Sequence, residues 1–466
     1  METQMSSLGF LAPPPRVAQL PRETQQELYP RLRFQVFAGI FIGYAGFYLI
    51  RNNLPFVAKT FKDIGAMDET AIGAVGTCLL IAYGFSKFLM ATLSDRANAR
   101  YFMPLGLALS AIVNILVAFI PGILNYVGLM CVLMFINGWF QGMGWPPSGR
   151  VLVHWFSTNE RGWKTSIWNC AHNVGGAGVG FLTAWGVQWF ATEANDWRPA
   201  FWFPAVVALV VAAIAFWLIR DRPEALGLMP IEEWRDDPAK VAKVDDAIEG
   251  LSMWQILVRY VLKSRVIVLL AIANIFIYTL RYGVLYWVPL YLQETQHVDT
   301  KAGAMGFVLY EFAGIVGTLA CGWVSDKVFK GYRTGAGLAF LIAVAVCVIA
   351  FWQVGQMDHA PLWLCYILIA LIGGLIYGPV MLVGLQAIDL SPREVAGQSA
   401  GLTGLAGYLI GATGASLLVG WIIEHFGWDT AWGFLAAVAI LTCAVMALVG
   451  KDEKAIIASH QSRATA

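Results

Sequence analysis

Long apolar runs separated by short polar loops dominate the chain. Counting runs of about 20 predominantly apolar residues, the length of helix that crosses the hydrocarbon core of a bilayer, gives twelve of them. Their ranges are 34–57, 70–93, 101–121, 126–147, 165–189, 198–219, 266–292, 301–324, 334–353, 362–386, 398–423 and 430–450. The pattern predicts an all-α integral membrane protein with twelve transmembrane helices, numbered below as spans 1 to 12.

Composition agrees with a membrane protein and argues against several other classes. The chain is 58% hydrophobic and 13% charged, with a mean hydropathy of +0.63. A net charge of +1 provides no basic field for nucleic acid. No GxxxxGK[ST] or HExxH sequence supports nucleotide-driven pumping or zinc-protease chemistry. The seven cysteines lie in apolar runs without metal-ligand spacing, so we expect no metal site and no cofactor.

Lysine and arginine are distributed unevenly between the two sets of loops. The N-terminus, the loops after even-numbered spans and the C-terminus together hold 24 of them, whereas the opposite loops hold 4. The remaining three, Arg51, Lys87 and Arg281, lie inside spans. The positive-inside rule therefore predicts that both termini face the cytoplasm.

Several features recur at a spacing of 230–234 residues. "LSDRANAR" after span 2 matches "VSDKVFKGYR" after span 8, with Asp95 and Asp326 separated by 231 positions. "FSTNERG" before span 5 matches "LSPREVAG" before span 11 at an offset of 234. Arg51 in span 1 and Arg281 in span 7 are 230 positions apart. Two related six-helix halves with a substrate site between them near the midplane are typical of secondary transporters.

The repeat predicts a simple domain organisation. A cytoplasmic segment 1–33 precedes the N-terminal half 34–219, a cytoplasmic loop 220–265 connects it to the C-terminal half 266–450, and a cytoplasmic tail 451–466 follows. The connecting loop holds 17 charged residues out of 46. Its final stretch, "LSMWQILVRYVLKS", has the helical periodicity of a short amphipathic helix at the membrane interface.

Five ionisable residues lie well inside the predicted spans: Arg51, Lys87, His172, Arg281 and Glu311. With the histidine neutral, their charges sum to +2, because the single carboxylate neutralises only one of three cations. An arginine at the centre of a transmembrane helix costs about 2.5–3.5 kcal/mol on insertion scales. A protein whose substrate is an anion needs such an arrangement, and we expect these residues to bind one.

The choice of arginine indicates which anions fit. Its planar fork of donors meets phosphate or carboxylate oxygens two at a time, whereas lysine acts as a point charge. A phosphate monoester, with a second pKa near 6, carries about the charge that a +2 site lacks. Carboxylate or sulfate would also fit, so phosphate is favoured rather than established by this argument.

Aromatic and amide side chains accompany these charges at helical spacing. They are Tyr44 and Tyr48 before Arg51, Tyr83 before Lys87, Gln141 with Trp145 on span 4, and Tyr278 before Arg281. His172 lies among glycines in "WNCAHNVGGAG", which permit close helix approach. Its pKa can lie near that of phosphate, so we expect a role in substrate binding or protonation.

Specific segments resemble a known family. "RLRFQVFAGIFIGYAGFYLIRNN", "IAYGFSKF", "GWFQGMGWPPSGR", "WNCAHNVGG", "LRYGVLYW", "LYEFAGIVGTLACGWVSDKVF" and "IYGPVMLVGL" closely resemble the organophosphate:phosphate antiporters of the major facilitator superfamily. The resemblance extends from about residue 30 to 450. Within the family, the chain looks most like the bacterial glycerol-3-phosphate transporters.

The resemblance implies an antiporter, of the bacterial inner membrane and acting as a monomer among lipids, that exchanges an organophosphate for inorganic phosphate. Arg51 and Arg281 match the family's paired phosphate-binding arginines, and Lys87 and His172 match further site residues. The residues that match its cavity lining are Tyr44, Tyr48, Tyr83 and Trp145. The residues that match the superfamily's gating loops are Asp95, Arg96, Asp326 and Lys327.

Two positions depart from the glycerol-3-phosphate pattern. The family usually has a lysine after the first arginine and an aspartate five residues after the second, whereas this chain has Asn52 and Tyr286. In the family these two residues are a plausible pair of opposite charge, so the absence of both preserves the net charge of the site. Loss of both partners of a buried pair can also be nearly neutral in energy. The "RNN" form resembles the phosphoglycerate branch. Phosphoglycerate, phosphoenolpyruvate or hexose-phosphate antiport, and a sensor of sugar phosphate that transports poorly, therefore stay open.

Two further classes have little support. A proton-coupled drug exporter normally needs several acidic residues in its spans, and only Glu311 qualifies. A membrane enzyme needs a nucleophile with acid and base partners, which His172 alone does not provide. We therefore expect a transporter and no enzyme.

Overall fold

A computed structural model describes residues 9–94, 96–236, 255, 257–357, 360–391 and 396–465. These residues form helices and connecting loops, and no β-strand occurs among them. The α-helices are α1 (Arg22–Tyr48), α2 (Leu54–Asp63), α3 (Glu69–Ser94), α4 (Ala99–Phe119), α5 (Val127–Gln141), α6 (Trp145–Trp155), α7 (Thr158–Asn169), α8 (Ala171–Phe190), α9 (Pro199–Leu218), α10 (Ile231–Trp234), α11 (Arg265–Thr295), α12 (Thr300–Lys327), α13 (Arg333–Gly355), α14 (Leu362–Asp389), α15 (Ala396–Ala406) and α16 (Thr413–Thr465). Two π-helices, at Leu257–Leu262 and Gly407–Ala412, lie before α11 and between α15 and α16. The all-α prediction is confirmed.

Nine helical segments of the described chain are long and apolar enough to cross a bilayer. One of them, Ser399–Ala455, has 57 residues. At about 85 Å it is too long to cross a core of about 30 Å only once. Gly427 interrupts it with a φ of 78°, which separates predicted spans 11 and 12. Predicted spans 1 and 5 correspond to α1 and α8, which fall outside the nine and carry tyrosine and histidine residues of the predicted site.

Predicted span 1 is not the continuous helix that the sequence suggests. α1 ends at Tyr48 and α2 begins at Leu54, so Arg51 lies in a turn between two helices and not at i+7 of a single helix. Pro55 lacks an amide hydrogen and cannot donate to the carbonyl of Arg51, which disfavours an uninterrupted helix here. Proline is instead tolerated in the first turn of α2, where amide groups have no helical partner.

The chain divides into two compact units, the first comprising Met1–Asn53 and Ala82–Val241. Within it, α4 packs against α5 and α9, and α1 packs against α8 and α9. A Cβ added to Gly175 of α8 would lie 2.1 Å from the carbonyl oxygen of Ala45 in α1. The backbones of α1 and α8 are therefore in direct contact, which only a glycine at this position permits.

The second unit comprises Leu54–Ile81 and Ala242–Ala466. Within it, α12 packs against α14, α11 against α16, and α13 against α14 and α16. A Cβ added to Gly317 of α12 would lie 1.4 Å from the carbonyl oxygen of Gly374 in α14. The closest approach in this unit is thus again one of backbone to backbone, and it fixes the relative position of α12 and α14.

Residues 54–81 cluster with the second unit, although the sequence repeat assigns them to the first half. Ser416 donates a hydrogen bond of 2.9 Å to the carbonyl of Gly73. Lys62, at the end of α2, forms an ion pair with Glu294 at the end of α11. These contacts explain the grouping, while the domain boundaries inferred from the repeat stay a prediction.

Carboxylates at equivalent positions of the repeat cap two helices. Asp221, just after α9, accepts a hydrogen bond of 2.9 Å from the backbone N–H of Ala99, the first residue of α4. Glu453, 232 positions later in the chain, accepts bonds of 3.1 Å from the backbone N–H groups of Arg333 and Thr334 at the start of α13. A helix N-terminus favours a carboxylate because its first N–H groups lack helical partners and its dipole is positive there. The internal repeat therefore extends to the helix ends.

Glu160 stabilises the beginning of α7. Its carboxylate accepts hydrogen bonds from the backbone N–H of Ser157 at 3.3 Å, from Arg33, and from Arg235 at 3.3 Å. Burial alone would raise the pKa of Glu160, but the hydrogen bond and charge of Arg33 outweigh it and lower the pKa below its usual value. A carboxylate with a lowered folded-state pKa stabilises the protein above its unfolded pKa and loses this effect as the pH falls through the folded value.

Replacing Glu160 with glutamine removes the charge and keeps the size. We expect E160Q to lower the thermal unfolding temperature at neutral pH, because the cap and the partly buried ion pairs together contribute about 1–2 kcal/mol. The difference from wild type should shrink as the pH falls below about 4.3. Thermal unfolding in detergent measures both effects, with E233Q, an exposed glutamate without an ion pair in the described chain, as the control. Equal unfolding temperatures of E160Q and wild type at neutral pH would contradict the assignment.

Gly317→Ala tests the contact between α12 and α14. The added methyl group has no space, so we expect a loss of about 1–3 kcal/mol of stability, typical of overpacking. Gly384→Ala in α14 is the matched control, because nothing lies within 4 Å of its Cβ position. That substitution should be neutral or stabilise by up to about 1 kcal/mol through helix propensity. An unchanged unfolding temperature of G317A would show that the two helices do not approach this closely.

Candidate functional site

Arg51 lies in the interior of the first unit, with only 3% of the residue exposed. Its Nε donates a hydrogen bond of 3.1 Å to Oε1 of Gln141. Its guanidinium carbon lies 4.2 Å from the ring centroid of Tyr48 and 4.0 Å from that of Tyr83. Aromatic faces attract a cation through their quadrupoles, but they do not neutralise its charge. These contacts orient the guanidinium of Arg51 against two rings and one amide.

A buried polar network holds the turn that carries this arginine. Nε2 of Gln141 donates to the hydroxyl of Ser110 at 2.9 Å. Asn114 and Asn137 donate to the carbonyl of Ile50, the residue before the arginine, at 3.2 and 3.1 Å. The amides satisfy a carbonyl that the end of α1 leaves without a helical partner. The serine and both asparagines were not predicted from the sequence, where their only signal was that each is a polar residue inside an apolar run.

Lys87 on α3 belongs to an aromatic cluster of the same unit. Its Nζ lies 5.1 Å from the ring centroid of Trp145. That ring meets Trp168 edge to face at 6.3 Å, and Tyr44 stacks on Trp168 at 4.6 Å. The hydroxyl groups of Tyr44 and Tyr48 are 3.5 Å apart. A series of ring contacts, from Trp145 through Trp168 and Tyr44 to Tyr48, therefore connects Lys87 to the side chains around Arg51.

His172, the second residue of α8, is 93% buried and lies 5.6 Å, ring to ring, from Tyr48. Its Nδ1 is hydrogen-bonded to the carbonyl of Asn169, so Nδ1 carries the proton. In the neutral ring Nε2 is then an acceptor, and protonation turns it into a donor, which is the form that an anion favours.

The structure brings all the predicted site residues of the first half into one connected group. They are Arg51, Lys87, His172, Tyr44, Tyr48, Tyr83, Gln141 and Trp145. Their part in substrate binding stays a prediction.

Arg281 lies in the interior of the second unit and is also 3% exposed. Its Nη2 donates a hydrogen bond of 3.1 Å to the hydroxyl of Tyr377. Its guanidinium carbon lies 4.4, 5.0 and 5.8 Å from the ring centroids of Tyr377, Tyr282 and Tyr278. Its buried Nε makes no hydrogen bond, and the side chain forms no ion pair, within the described parts of the chain. A charged donor is thus left for a ligand.

Tyrosines couple this arginine to the acidic residue of the predicted site. The hydroxyl of Tyr377 hydrogen-bonds Glu311, which is 1% exposed. The hydroxyl of Tyr310 donates to the carbonyl of Arg281 at 3.2 Å. The hydroxyl of Tyr377 therefore links Glu311 to the guanidinium of Arg281.

The packing of α12 on α14 positions Tyr310 and Tyr377. A Cβ added to Gly373 of α14 would lie 2.3 Å from the carbonyl oxygen of Tyr310. The two tyrosine rings lie 5.9 Å apart, edge to face. Neither tyrosine was predicted as a site residue, although Tyr310 directly precedes Glu311 and Tyr377 lies in the segment "IYGPVMLVGL".

Three of the four predicted gating residues are among those that the structure describes. Asp95 falls outside the described residues, and Arg96 is exposed. Asp326 forms an ion pair with Arg333, and Lys327 is exposed at the end of α12. Their role in gating stays a prediction.

The two positions that depart from the glycerol-3-phosphate pattern are buried. Asn52 is 4% exposed in the turn after α1, and Tyr286 is 5% exposed in α11. The hydroxyl oxygen of Tyr286 lies 2.5 Å from the Cβ position of Gly76 in α3. A neutral tyrosine fits this position because the facing residue is a glycine.

Comparison with known proteins identifies the family. The sequence profile of the Major Facilitator Superfamily matches residues 36–415. The chain belongs to the major facilitator superfamily. It is therefore a membrane transporter and not an enzyme, and the predicted fold class is confirmed. A solved structure of a bacterial homologue of the human lysosomal transporter Spinster has the same fold, with a TM-score of 0.71 over 90% of this chain and 97% of that one at 14% identity.

Two curated bacterial relatives are similar over nearly the whole chain. The glycerol-3-phosphate transporter of Bacillus subtilis (strain 168) is 45% identical over 447 residues, covering 96% of this chain and 99% of the relative. The glycerol-3-phosphate transporter of Haemophilus influenzae is 42% identical over 442 residues, covering 90% and 92%. The resemblance to bacterial glycerol-3-phosphate transporters that the motifs predicted is confirmed.

Tyr377→Phe tests whether the tyrosine prepares Arg281 for an oxyanion. Loss of the hydroxyl removes a hydrogen bond to a charged group, worth about 1.5–3 kcal/mol, so we expect binding of inorganic phosphate to weaken by about tenfold or more. Isothermal titration of the detergent-solubilised protein measures it. The matched control is Tyr366→Phe on the same helix, whose hydroxyl donates to the carbonyl of Ala302 at 2.8 Å. Equal affinities of Y377F and wild type would remove this tyrosine from the site.

Proposed function

We propose that this transporter exchanges an organophosphate, preferentially glycerol-3-phosphate, for inorganic phosphate across the bacterial inner membrane, with both termini in the cytoplasm. Similarity to two proteins named glycerol-3-phosphate transporters supports the substrate. The internal repeat supports alternating access by rocking of two halves. The distribution of lysine and arginine supports the orientation.

The observation that carries the proposal is the environment of Arg281. A guanidinium buried to 97%, with no ion pair in the described chain and a buried Nε that lacks an acceptor, is costly unless a ligand supplies the acceptor. A phosphate group offers several charged oxygens in the geometry that an arginine fork recognises. Arg51, at the equivalent position of the repeat, supplies a second fork.

The electrostatic balance favours a dianion over a neutral sugar. Arg51, Lys87 and Arg281 are cations within predicted spans, and Glu311 is the one acidic residue predicted there. A phosphate monoester near its second pKa of about 6 brings up to two negative charges. Its binding therefore brings the total buried charge close to zero, which a monovalent carboxylate does not.

The same balance accounts for exchange. Without an anion, the three cations and one carboxylate leave a net positive charge in the low-dielectric interior. The conformational change is unfavourable in that state. With phosphate or an organophosphate bound, the charge is screened. The conformational change that would return the empty transporter to its starting state is thus disfavoured. Transport of one phosphate compound is therefore coupled to transport of another in the opposite direction.

Proteoliposomes test the function directly. Vesicles preloaded with unlabelled phosphate should take up radiolabelled phosphate, and an external organophosphate substrate should inhibit this uptake. The competitors are glycerol-3-phosphate, 3-phosphoglycerate, phosphoenolpyruvate and glucose-6-phosphate, since Asn52 and Tyr286 leave these alternatives open. Strongest inhibition by glycerol-3-phosphate supports the proposal, and strongest inhibition by another compound names a different substrate. Binding without exchange would indicate a sensor, and neither binding nor exchange would contradict phosphate as the anion.

Arg51→Lys and Arg281→Lys test the bidentate binding of phosphate. Lysine keeps the charge and loses the paired donors, so we expect exchange to fall by about tenfold or more, the equivalent of about 1.4 kcal/mol. Arg265→Lys is the control, because that side chain is 75% exposed and pairs with Asp452 at 3.4 Å. Near-normal exchange by both site variants would show that charge alone is sufficient.

A further inference from the structure

An apolar groove lies on the first unit between α4 and α9. It has a volume of about 330 Å³. Small side chains leave this space: Pro104 and Ala108 on α4, and Ala212 and Ala213 on α9. The ring of Phe216 lines one end. Because both helices are predicted spans, this groove is expected to face hydrocarbon and not water.

The groove is long enough to hold part of one acyl chain in one leaflet. Its lining on α4 extends from Tyr101 to Ala108, about 10 Å along a helix axis. One leaflet contributes about half of a hydrocarbon core of about 30 Å. The loops at this end of α4 and α9 are predicted to be cytoplasmic, so the groove lies in the cytoplasmic leaflet of the predicted topology.

Two arginines lie at the end of the groove that is nearest the predicted membrane surface. Nε of Arg100 donates to the carbonyl of Phe216 at 3.1 Å, and its guanidinium lies 4.7 Å from that ring. Nη1 of Arg220 donates to the carbonyls of Trp217 and Ile219 at 2.7 and 2.8 Å. Both side chains are half-buried. Their hydrogen bonds use neutral carbonyl groups, so neither charge is compensated by them.

The two arginines lie close enough to repel each other. Burial and the positive charge of Arg100 together lower the pKa of Arg220. Neither side chain forms an ion pair among the residues that the structure describes. The neighbouring carboxylate, Asp221, is already engaged by Arg150 at 2.9 Å and by Arg222 at 3.4 Å. Two like charges held together at a membrane surface are stabilised by an anion that bridges them.

We propose that this groove binds one acyl chain of an anionic phospholipid whose phosphate group is held by Arg100 and Arg220. Basic residues beside a groove between transmembrane helices on the cytoplasmic side are suited to anionic headgroups. The carbonyl bonds fix both guanidinium groups at the mouth of the groove, where the headgroup of a chain lying in it is located. The site is separate from the proposed substrate site, because it is on the lipid-facing surface of one unit.

The arginine at the start of the equivalent helix in the second unit is paired with carboxylates of the protein itself. Arg333, at the start of α13, pairs with Asp326 and, at 3.4 Å, with Asp389. The charge of Arg333 is thus compensated within its unit, whereas no carboxylate among the described residues pairs with Arg100 or Arg220.

Native mass spectrometry of the full chain tests the proposal. The purified protein is incubated with phosphatidylglycerol or with phosphatidylcholine of identical acyl chains, and the fraction that retains one lipid is measured. We expect wild type to retain phosphatidylglycerol several-fold better. The double variant Arg100→Gln with Arg220→Gln should lose this preference. The control, Lys263→Gln with Lys330→Gln, removes two exposed charges without ion pairs in the described chain and should keep it.

A second variant tests the groove without changing charge. Ala213→Trp places a large ring in the groove at an exposed position, so folding should be preserved. We expect it to reduce retention of both lipids. A preference for phosphatidylglycerol that survives in the double arginine variant would overturn the proposal. Undiminished retention of both lipids by A213W would overturn it too, because the acyl chain would then lie elsewhere.

Discussion

The free-energy cost of holding a guanidinium inside a bilayer is the constraint on which the rest of this structure depends. Arg51 and Arg281 lie in segments that are otherwise apolar, and each is almost fully buried. Both have tyrosine rings and a neutral polar group among their neighbours, a glutamine amide at Arg51 and a tyrosine hydroxyl at Arg281. Such neighbours orient a cation and lower its energy without cancelling its charge. Arg281, which forms no ion pair within the described parts of the chain, also keeps a buried Nε without an acceptor there.

The two units meet this constraint with different side chains. In the first, the arginine lies in a turn after α1, and Asn114 and Asn137 hold that turn through the carbonyl of Ile50. In the second, Arg281 lies within α11, and tyrosines from neighbouring helices hold it in place. A turn exposes backbone groups that side chains must satisfy, whereas a helix satisfies its own. The internal repeat therefore preserves the position of the charge and not the means of holding it.

Much of the fold could be predicted from the sequence, because a bilayer requires long apolar helices and leaves a strong hydropathy pattern. The buried charges were visible for the same reason, since each interrupts that pattern. The end of α1 at Tyr48 was missed, because hydropathy continues across it and only Pro55 marks the break. Ser110 and Tyr377 were missed because their importance comes from neighbours on other helices, which spacing along one helix does not reveal. The grouping of 54–81 with the second unit depends on such contacts as well.

The repeat is conserved most clearly where helices begin. Asp221 and Glu453 cap α4 and α13 at positions 232 apart, close to the offset between the two buried arginines. A cap satisfies backbone groups whose geometry is the same in every helix, so one carboxylate serves equally well in both units. Contacts to an asymmetric ligand have no such common geometry, so they need not follow the repeat. Positions such as Asn52 and Tyr286 can therefore differ from those of relatives while the helix ends, and with them the positions of the arginines, remain fixed.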